Sequence, residues 1–239
     1  MPSPLGLLRQ ACIECRACPL RDGAVSEVTP VFGRRGDTSE AQIADPDPAA
    51  IRLVIVGEAP GPQENTVGRP FIGPAGDILA SLLQQAGIDT GKVWITNAVA
   101  CWPHEAGKSG RASTVSPSPH ALSVCPDRHL GPQLDVFSKA PVVLALGMSA
   151  AVATIAMWPS HSGRGLQPVL AFRPGEVTRT LSDIRVHDGA DGRKVLVTYH
   201  PSYLARRGYK AGERADAHED AAVVLKAFTA ARALARAEP

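Results

Sequence analysis

The chain has 239 residues, 44% of them apolar, enough to bury a full core and a length that suits one α/β domain over 1–239 better than two. A formal net charge of +2 excludes it from the strongly basic chains whose charge alone announces a nucleic-acid partner, so any such surface must be a local patch. No run approaches the roughly 18 apolar residues of a membrane-spanning helix, and MPSPLGLLRQ is too short and interrupted for a signal peptide; a cytoplasmic protein with no membrane partner is the default expectation.

Five cysteines lie at positions 12, 15, 18, 101 and 125. An odd number with three crowded at one end suits a disulfide framework badly, and in a reducing compartment such crowding signals metal or cluster ligation. Residues 33–50 are polar and rich in Pro and Asp, with little to bury, and are expected to form a mobile loop. Ile51 and the run from Leu53 to Val56 are too continuously apolar for a half-exposed strand, which predicts a strand inside a sheet covered on both faces. It runs into a Gly/Pro-rich loop containing Gly57, Gly61, Gly68 and Gly73, with Glu58 at its start. Carboxyl ends of strands are where open α/β sheets bind ligands, and glycine lets the backbone approach them closely.

Residues 77–86 have helical apolar spacing and stop at Gly87, a natural C-terminal cap. Residues 92–99 read as a second strand with Asn97 near its carboxyl end. Residues 102–119 are loop-like, a helix is expected over much of 120–138, a third strand over 141–146 ends at Gly147, and residues 149–158 begin another helix. Residues 159–193 form a Gly/Pro-rich connection with a hairpin expected around Asp191-Gly192. A fourth strand over 194–198 delivers Tyr199, His200, Pro201 and Ser202, and residues 213–237 suit a long amphipathic terminal helix. Four strand–helix alternations predict a mainly parallel four-stranded sheet between helices, with Glu58, Asn97 and His200 all at carboxyl ends of strands. Three polar groups converging there are what an active site needs. From the residues alone, Glu58 is either catalytic or a cap of the following helix, Asn97 a ligand reader or a turn former, Phe71 a stacking face or core, and Arg206 and Arg207 a phosphate contact or solvated surface.

The runs CRACPL, GEAPGPQENTVGRPFIGPAG, TNAVAC and YHPSYLARR, in this order, resemble the motifs of the bacterial and archaeal family 4 uracil-DNA glycosylases, and the resemblance extends from the first cysteines to the last helix. It implies a three-layer α/β/α sandwich and a monomeric enzyme that flips uracil out of single- or double-stranded DNA and hydrolyses its N-glycosidic bond. The product would be an abasic site, the start of base-excision repair. Breaking that bond puts cationic character on the sugar and anionic character on the leaving base. By the resemblance, Glu58 favours the sugar cation and orients water, while His200, in either protonation state, donates a hydrogen bond to uracil O2. Asn97 would read N3–H and O4, Phe71 would stack under the base, and Gly57, Ala59 and Gly61 would complete the pocket.

Flipping costs a few kcal/mol and leaves a gap in the stack. The resemblance sends the segment from Pro201 to Arg207 into the minor groove with Leu204 as the apolar wedge, Arg206 and Arg207 near phosphates, and the amides around Gly61, Gly73 and Ser202 gripping the strand. Cys15, Cys18, Cys101 and Cys125 suit a structural [4Fe-4S] cluster or zinc, and the resemblance favours the cluster; Cys12 is a spare thiol or a replacement ligand. The stretch between Cys101 and Cys125 is longer than the family pattern and lacks its Arg/Pro-rich run. Alternatives are a broader damaged-base range, covalent trapping of the abasic sugar through His104, whose surroundings lack the Arg-rich run of the cross-linking branch, and a non-catalytic cluster-bearing DNA-binding module.

Overall fold

The computed structural model describes residues 3–22, 45–106, 112–161, 186–188 and 193–237. The expected mobile loop lies outside them over 33–44, as does the expected hairpin turn at Asp191-Gly192. Residues 45–50 hold one tight turn, Pro48–Ala50, where the Asp47 carboxylate accepts from the Ala49 N–H at 2.9 Å.

Helix α1 (Pro4–Ile13) precedes the cysteine pair. Ser3 caps it, its hydroxyl accepting from the Gly6 N–H at 3.0 Å, and Pro4 takes the first position, where no N–H is needed. Strand β1 (Leu53–Gly57) is buried along its whole length. Short helix α2 (Pro62–Val67) lies inside the stretch expected to be loop, and α3 (Pro74–Gln85) ends just before Gly87, which sits in the left-handed region at φ 64°. After β2 (Val93–Asn97), residues expected to be loop instead carry an antiparallel hairpin of β3 (His104–Ala106) and β4 (Ala112–Thr114). Strands this short leave no period for a sequence pattern to register.

Helix α4 (Pro119–Cys125), a π-helical turn (Pro126–Leu130) and α5 (Gly131–Val136) follow one path through the helix expected at 120–138. Pro126 has no N–H to donate, and the wider turn absorbs it directly after Cys125. Then come β5 (Val142–Leu146), α6 (Met148–His161), β6 (Val186–Asp188), β7 (Lys194–Thr198), α7 (Pro201–Arg206) and α8 (Glu219–Arg236). Helix α8 starts later than the apolar pattern predicts because a separate single turn over Ala215–Ala217 and the extended His218 intervene.

The sheet order is β2-β1-β5-β7-β6, with the first four strands parallel and β6 antiparallel to β7. The three-layer α/β/α architecture is as expected, but the described sheet has five strands rather than four, because β6 adds a short edge outside the apolar runs. Alternate residues of each strand feed two cores. Leu53, Ile55, Ile95 and Leu144 join Ile78, Leu82 and Phe228 of α3 and α8 on one face. Val54, Val56, Trp94 and Val143 join Leu5, Leu134 and Ala153 of α1, α5 and α6 on the other. Ile55 and Leu82 are 0% exposed, and each such side chain contributes roughly 1.5–3 kcal/mol relative to leaving it in water. Parallel pairing sets Gly57 level with Asn97 and Leu146 level with Thr198, so the turns leaving β1, β2, β5 and β7 open on one end of the sheet.

Candidate active site

A cavity of about 610 Å³ opens at that end, and Glu58, Ala59, Gly61, Phe71, Asn97, His200, Ser202 and Arg206 all line it. Glu58 follows β1, Asn97 ends β2 and His200 follows β7, so three distant stretches of sequence meet because their strands are parallel neighbours or near neighbours. Gly57 makes the meeting possible. A Cβ there would lie 2.5 Å from Asn97 Oδ1 and 2.6 Å from Phe71 Cζ, so only glycine lets both side chains close over β1.

Phe71 is buried and takes a left-handed φ of 55°, unusual for an aromatic residue. The first turn of α3 presses against its carbonyl, and a Cβ on Gly76 would stand 1.6 Å from Phe71 O. The ring stacks on the His200 imidazole with centroids 5.6 Å apart and planes 26° apart. Phe71 is therefore both core and cavity wall.

His200 caps α7. Its Nδ1 accepts from the Ser202 N–H at 3.2 Å and lies 2.8 Å from the Ser202 hydroxyl, whose oxygen in turn accepts from Arg206 Nη1 at 3.3 Å. Since a backbone N–H can only donate, Nδ1 is the acceptor and the proton sits on Nε2. Burial, reinforced by the Arg206 charge, pushes the imidazole pKa down to about 4. The ring is neutral at pH 7, which answers the protonation question that the sequence leaves open.

Glu58 has a partner that the motifs do not indicate. The Ser149 hydroxyl, in the first turn of α6, donates to Glu58 Oε2 at 2.6 Å. Glu64 of α2 also lines the cavity, and its Oε1 accepts from the N–H groups of Ile72 and Gly73 at 3.2 and 3.3 Å. Gly73 borders the cavity as expected, but its amide is engaged by this carboxylate rather than free for a phosphate. The hairpin side also lines the cavity, through Pro103, Thr114, Val115 and Ser116. Trp102 braces that side, donating from Nε1 to Thr114 Oγ1 at 2.9 Å and stacking on His104 at 4.4 Å. His104 is not among the residues lining the cavity, so covalent trapping through it gains no support.

One expectation for the segment from Pro201 to Arg207 needs correction. Leu204 is 0% exposed and belongs to the core with Leu79, Leu82 and Phe228, so it has no surface to insert as a wedge. Pro201 and Leu204, three apart on α7, both face inward, which anchors the helix carrying His200's partners. Arg207 points to α8, where it pairs with Asp220 at 3.2 Å; of the two arginines only Arg206 borders the cavity.

The cysteines gather at the side of the sandwich. Cys15, Cys18, Cys101 and Cys125 line one small pocket with Arg21, Val99, Arg128 and His129, while Cys12 is buried outside that lining. Burial first, then the neighbouring thiols, push Cys101 up to about 11; burial pushes Cys125 up to about 12 against an opposing N–H···S bond from Ala100 at 3.3 Å. Cys12 is also raised, by burial and then by Cys101, Cys125 and Cys15. Sulfurs that raise one another's pKa stand close together, and thiolates there need a positive partner. The donor set suits a thiophilic metal group, although among the described residues no three Cys, His, Asp or Glu side chains are gathered tightly enough to hold one ion. No described helix is long and apolar enough to cross a membrane.

An α/β/α sandwich with a carboxylate, an amide and a neutral imidazole at strand ends agrees with what known proteins reveal. The profile of the uracil DNA glycosylase superfamily matches residues 45–224, and the chain belongs to that superfamily. Type-4 uracil-DNA glycosylases are among its relatives. That of Thermotoga maritima is 30% identical over 196 residues, 81% of this chain and 79% of the relative. The Pyrobaculum aerophilum protein is 28% identical over 163 residues, 68% of this chain and 72% of its own, and that of Archaeoglobus fulgidus is 30% identical over 139 residues, 58% and 57%. Among solved structures, Pedobacter heparinus SMUG2 aligns over 78% of this chain and 77% of its own with a TM-score of 0.48 and 12% identity, too distant to bear on the site.

Proposed function

We propose that this chain is a uracil-DNA glycosylase that hydrolyses the bond between uracil N1 and the deoxyribose C1′ and leaves an abasic site in DNA. The observation that carries the reading is the convergence of Glu58, Asn97 and a neutral, Nε2-protonated His200 on one cavity. As the bond breaks, its electron pair leaves with uracil, and His200 Nε2–H donates to O2, where the charge accumulates. The developing sugar cation is favoured by the Glu58 carboxylate, which also orients water and takes its proton as the water oxygen bonds to C1′.

Asn97 gives specificity. Its Nδ2–H groups suit uracil O4 and its Oδ1 suits N3–H; cytosine presents the reverse at both positions, leaving buried groups unpaired at about 1–3 kcal/mol each. Phe71 supplies the flat floor, and Gly57, Ala59 and Gly61 keep the backbone close to the base. Arg206 and the Ser202 side of α7 meet the phosphates of single- or double-stranded DNA, with one copy of the chain sufficient for the reaction.

Cys15, Cys18, Cys101 and Cys125 would hold a [4Fe-4S] cluster, whose contribution when bound is to tie the segment after α1 to the β2–β3 connection and α4. Four cysteines suit either a [4Fe-4S] cluster or zinc, the family resemblance favours the cluster, and the crowding of cysteines at one end of the sequence fits a reducing, cytoplasmic compartment. The test is incubation with a uracil-containing oligonucleotide followed by alkaline cleavage of abasic sites. Strand breaks at uracil are expected; DNA binding without breaks would leave only a binding module.

A further inference from the structure

Strand β5 lies between β1, which leads to Glu58, and β7, which leads to His200, so the turn leaving β5 stands between the two reacting groups. Gly147 makes that turn at φ 84°, and its N–H donates to Thr198 O at 2.7 Å. A Cβ at Gly147 would come within 3.2 Å of His200 Cβ, so the turn lies close against the root of the histidine side chain. Two residues on, Ser149 donates its hydroxyl to Glu58 Oε2 at 2.6 Å. A serine in a first helical turn ordinarily bonds its own backbone; this one reaches across to a different strand end. Among the described residues it is the one side-chain donor to the Glu58 carboxylate. Helix α6 gives it a rigid base, since Ala150, Ala151 and Ala153 are buried in the core and the Thr154 hydroxyl donates back to Ala150 O at 2.7 Å.

We propose that Ser149 is a positioning residue for base excision: its hydroxyl holds Glu58 in one rotamer by occupying Oε2, so that Oε1 is the oxygen that meets water and the sugar. The β5–α6 turn thereby fixes both halves of the site from one place, Glu58 through a hydrogen bond and His200 through the close approach that Gly147 permits. This rests on the glycosylase reading. A carboxylate on three rotatable bonds in an open cavity is otherwise free to turn away, and its misplacement affects the chemical step rather than DNA binding.

The test is steady-state and single-turnover kinetics on one uracil-containing oligonucleotide, for wild type, Ser149→Ala, Ser149→Thr, Glu58→Gln and the double variant Ser149→Ala/Glu58→Gln, each with a melting curve. Ser149→Ala is expected to lower kcat about 10- to 100-fold with KM within about twofold, and Ser149→Thr to restore most of the rate. In the Glu58→Gln background, loss of the hydroxyl should change the rate less than about twofold, because the two groups act as one unit. Unchanged kcat in Ser149→Ala, additive losses in the double variant, or a loss that tracks a lowered melting temperature and is not rescued by Thr would each overturn the proposal. A wild-type protein that excises no uracil would instead sink the glycosylase reading itself, an outcome that the Ser149 variants do not affect.

Discussion

The two ends of the central sheet carry cavities of similar size and opposite design. At the amino end, a cavity of about 670 Å³ is lined by Arg52, Lys92, Arg232 and Arg236 against a single carboxylate, Asp89, in a chain whose net charge is only +2. Yet Arg52 donates to Ala235 O at 3.1 Å and Ala237 O at 3.4 Å, and Arg232 donates to Ala86 O at 2.8 Å. Arg232 thereby ties α8 to the carboxyl-terminal end of α3, and Arg52 ties the entry to β1 to the carboxyl-terminal end of α8, where cations also favour the helix dipoles. At the carboxyl end, Glu58 is held by Ser149 and His200 by Ser202, and both face the cavity together with Asn97. Size and positive charge alone would choose the wrong end for the chemistry. Where the hydrogen bonds go separates a scaffold from a site.

This contrast makes a division that variants can break. Carboxyl-end changes should alter turnover and leave folding intact: Glu58→Gln and His200→Asn, the latter keeping a helix-capping side chain, are expected to lower excision about 10²- to 10⁴-fold with nearly wild-type melting curves. Rates within a few-fold of wild type would remove both residues from the mechanism. Asn97→Asp, which loses the donor for O4, is expected to cost roughly 10- to 100-fold on uracil, read as kcat/KM on matched oligonucleotides.

The pH dependence sharpens the same point. The folded His200 pKa of about 4 lies below its ordinary value of 6.5, so the unfolded chain takes up the proton first. The stability linked to this group is therefore fully present above 6.5 and is lost as pH falls toward 4. Because His200 keeps one protonation state across this range, excision should show no His200 inflection between pH 7.5 and about 5. A histidine titrating near 6.5 by NMR at this position would contradict the burial argument.

The smallest effect belongs to the amino end. Arg232→Ala should cost about 1 kcal/mol, a fall of a few degrees in melting temperature, with turnover and DNA affinity unchanged. A drop in DNA affinity would turn the scaffold into a second nucleic-acid surface and end the comparison.

The strands were legible because buried parallel strands are continuous apolar runs, and the ends of those runs delivered Glu58, Asn97 and His200 to one side by topology alone. Ser149 was not legible, since a hydroxyl in a helix's first turn looks the same whether it bonds its own backbone or a carboxylate 91 residues away in sequence. Leu204 misled for another reason: its wedge role was implied by the resemblance alone, and once α7 forms, its spacing from Pro201 turns it inward. Helix α2, the hairpin and β6 are too short for periodicity to register, and Glu64 owes its position to α2.

The contact between Gly76 and Phe71 sets the terms on which this pocket can be redesigned. With 1.6 Å between a Cβ at Gly76 and the Phe71 carbonyl, and 2.5 Å between one at Gly57 and Asn97 Oδ1, the floor under the base cannot accept another methyl group without moving α3 or displacing the Asn97 and Phe71 side chains. Among the described residues, breadth of substrate is more readily tuned from the hairpin side, where Thr114 and Ser116 are exposed and Val115 is half-buried. Thr114, Val115 and Ser116 line the cavity without being any of Glu58, Asn97 or His200, so a library confined to 114–116 is expected to shift which bases are accepted while leaving the bond-breaking groups and the Asn97 reader untouched.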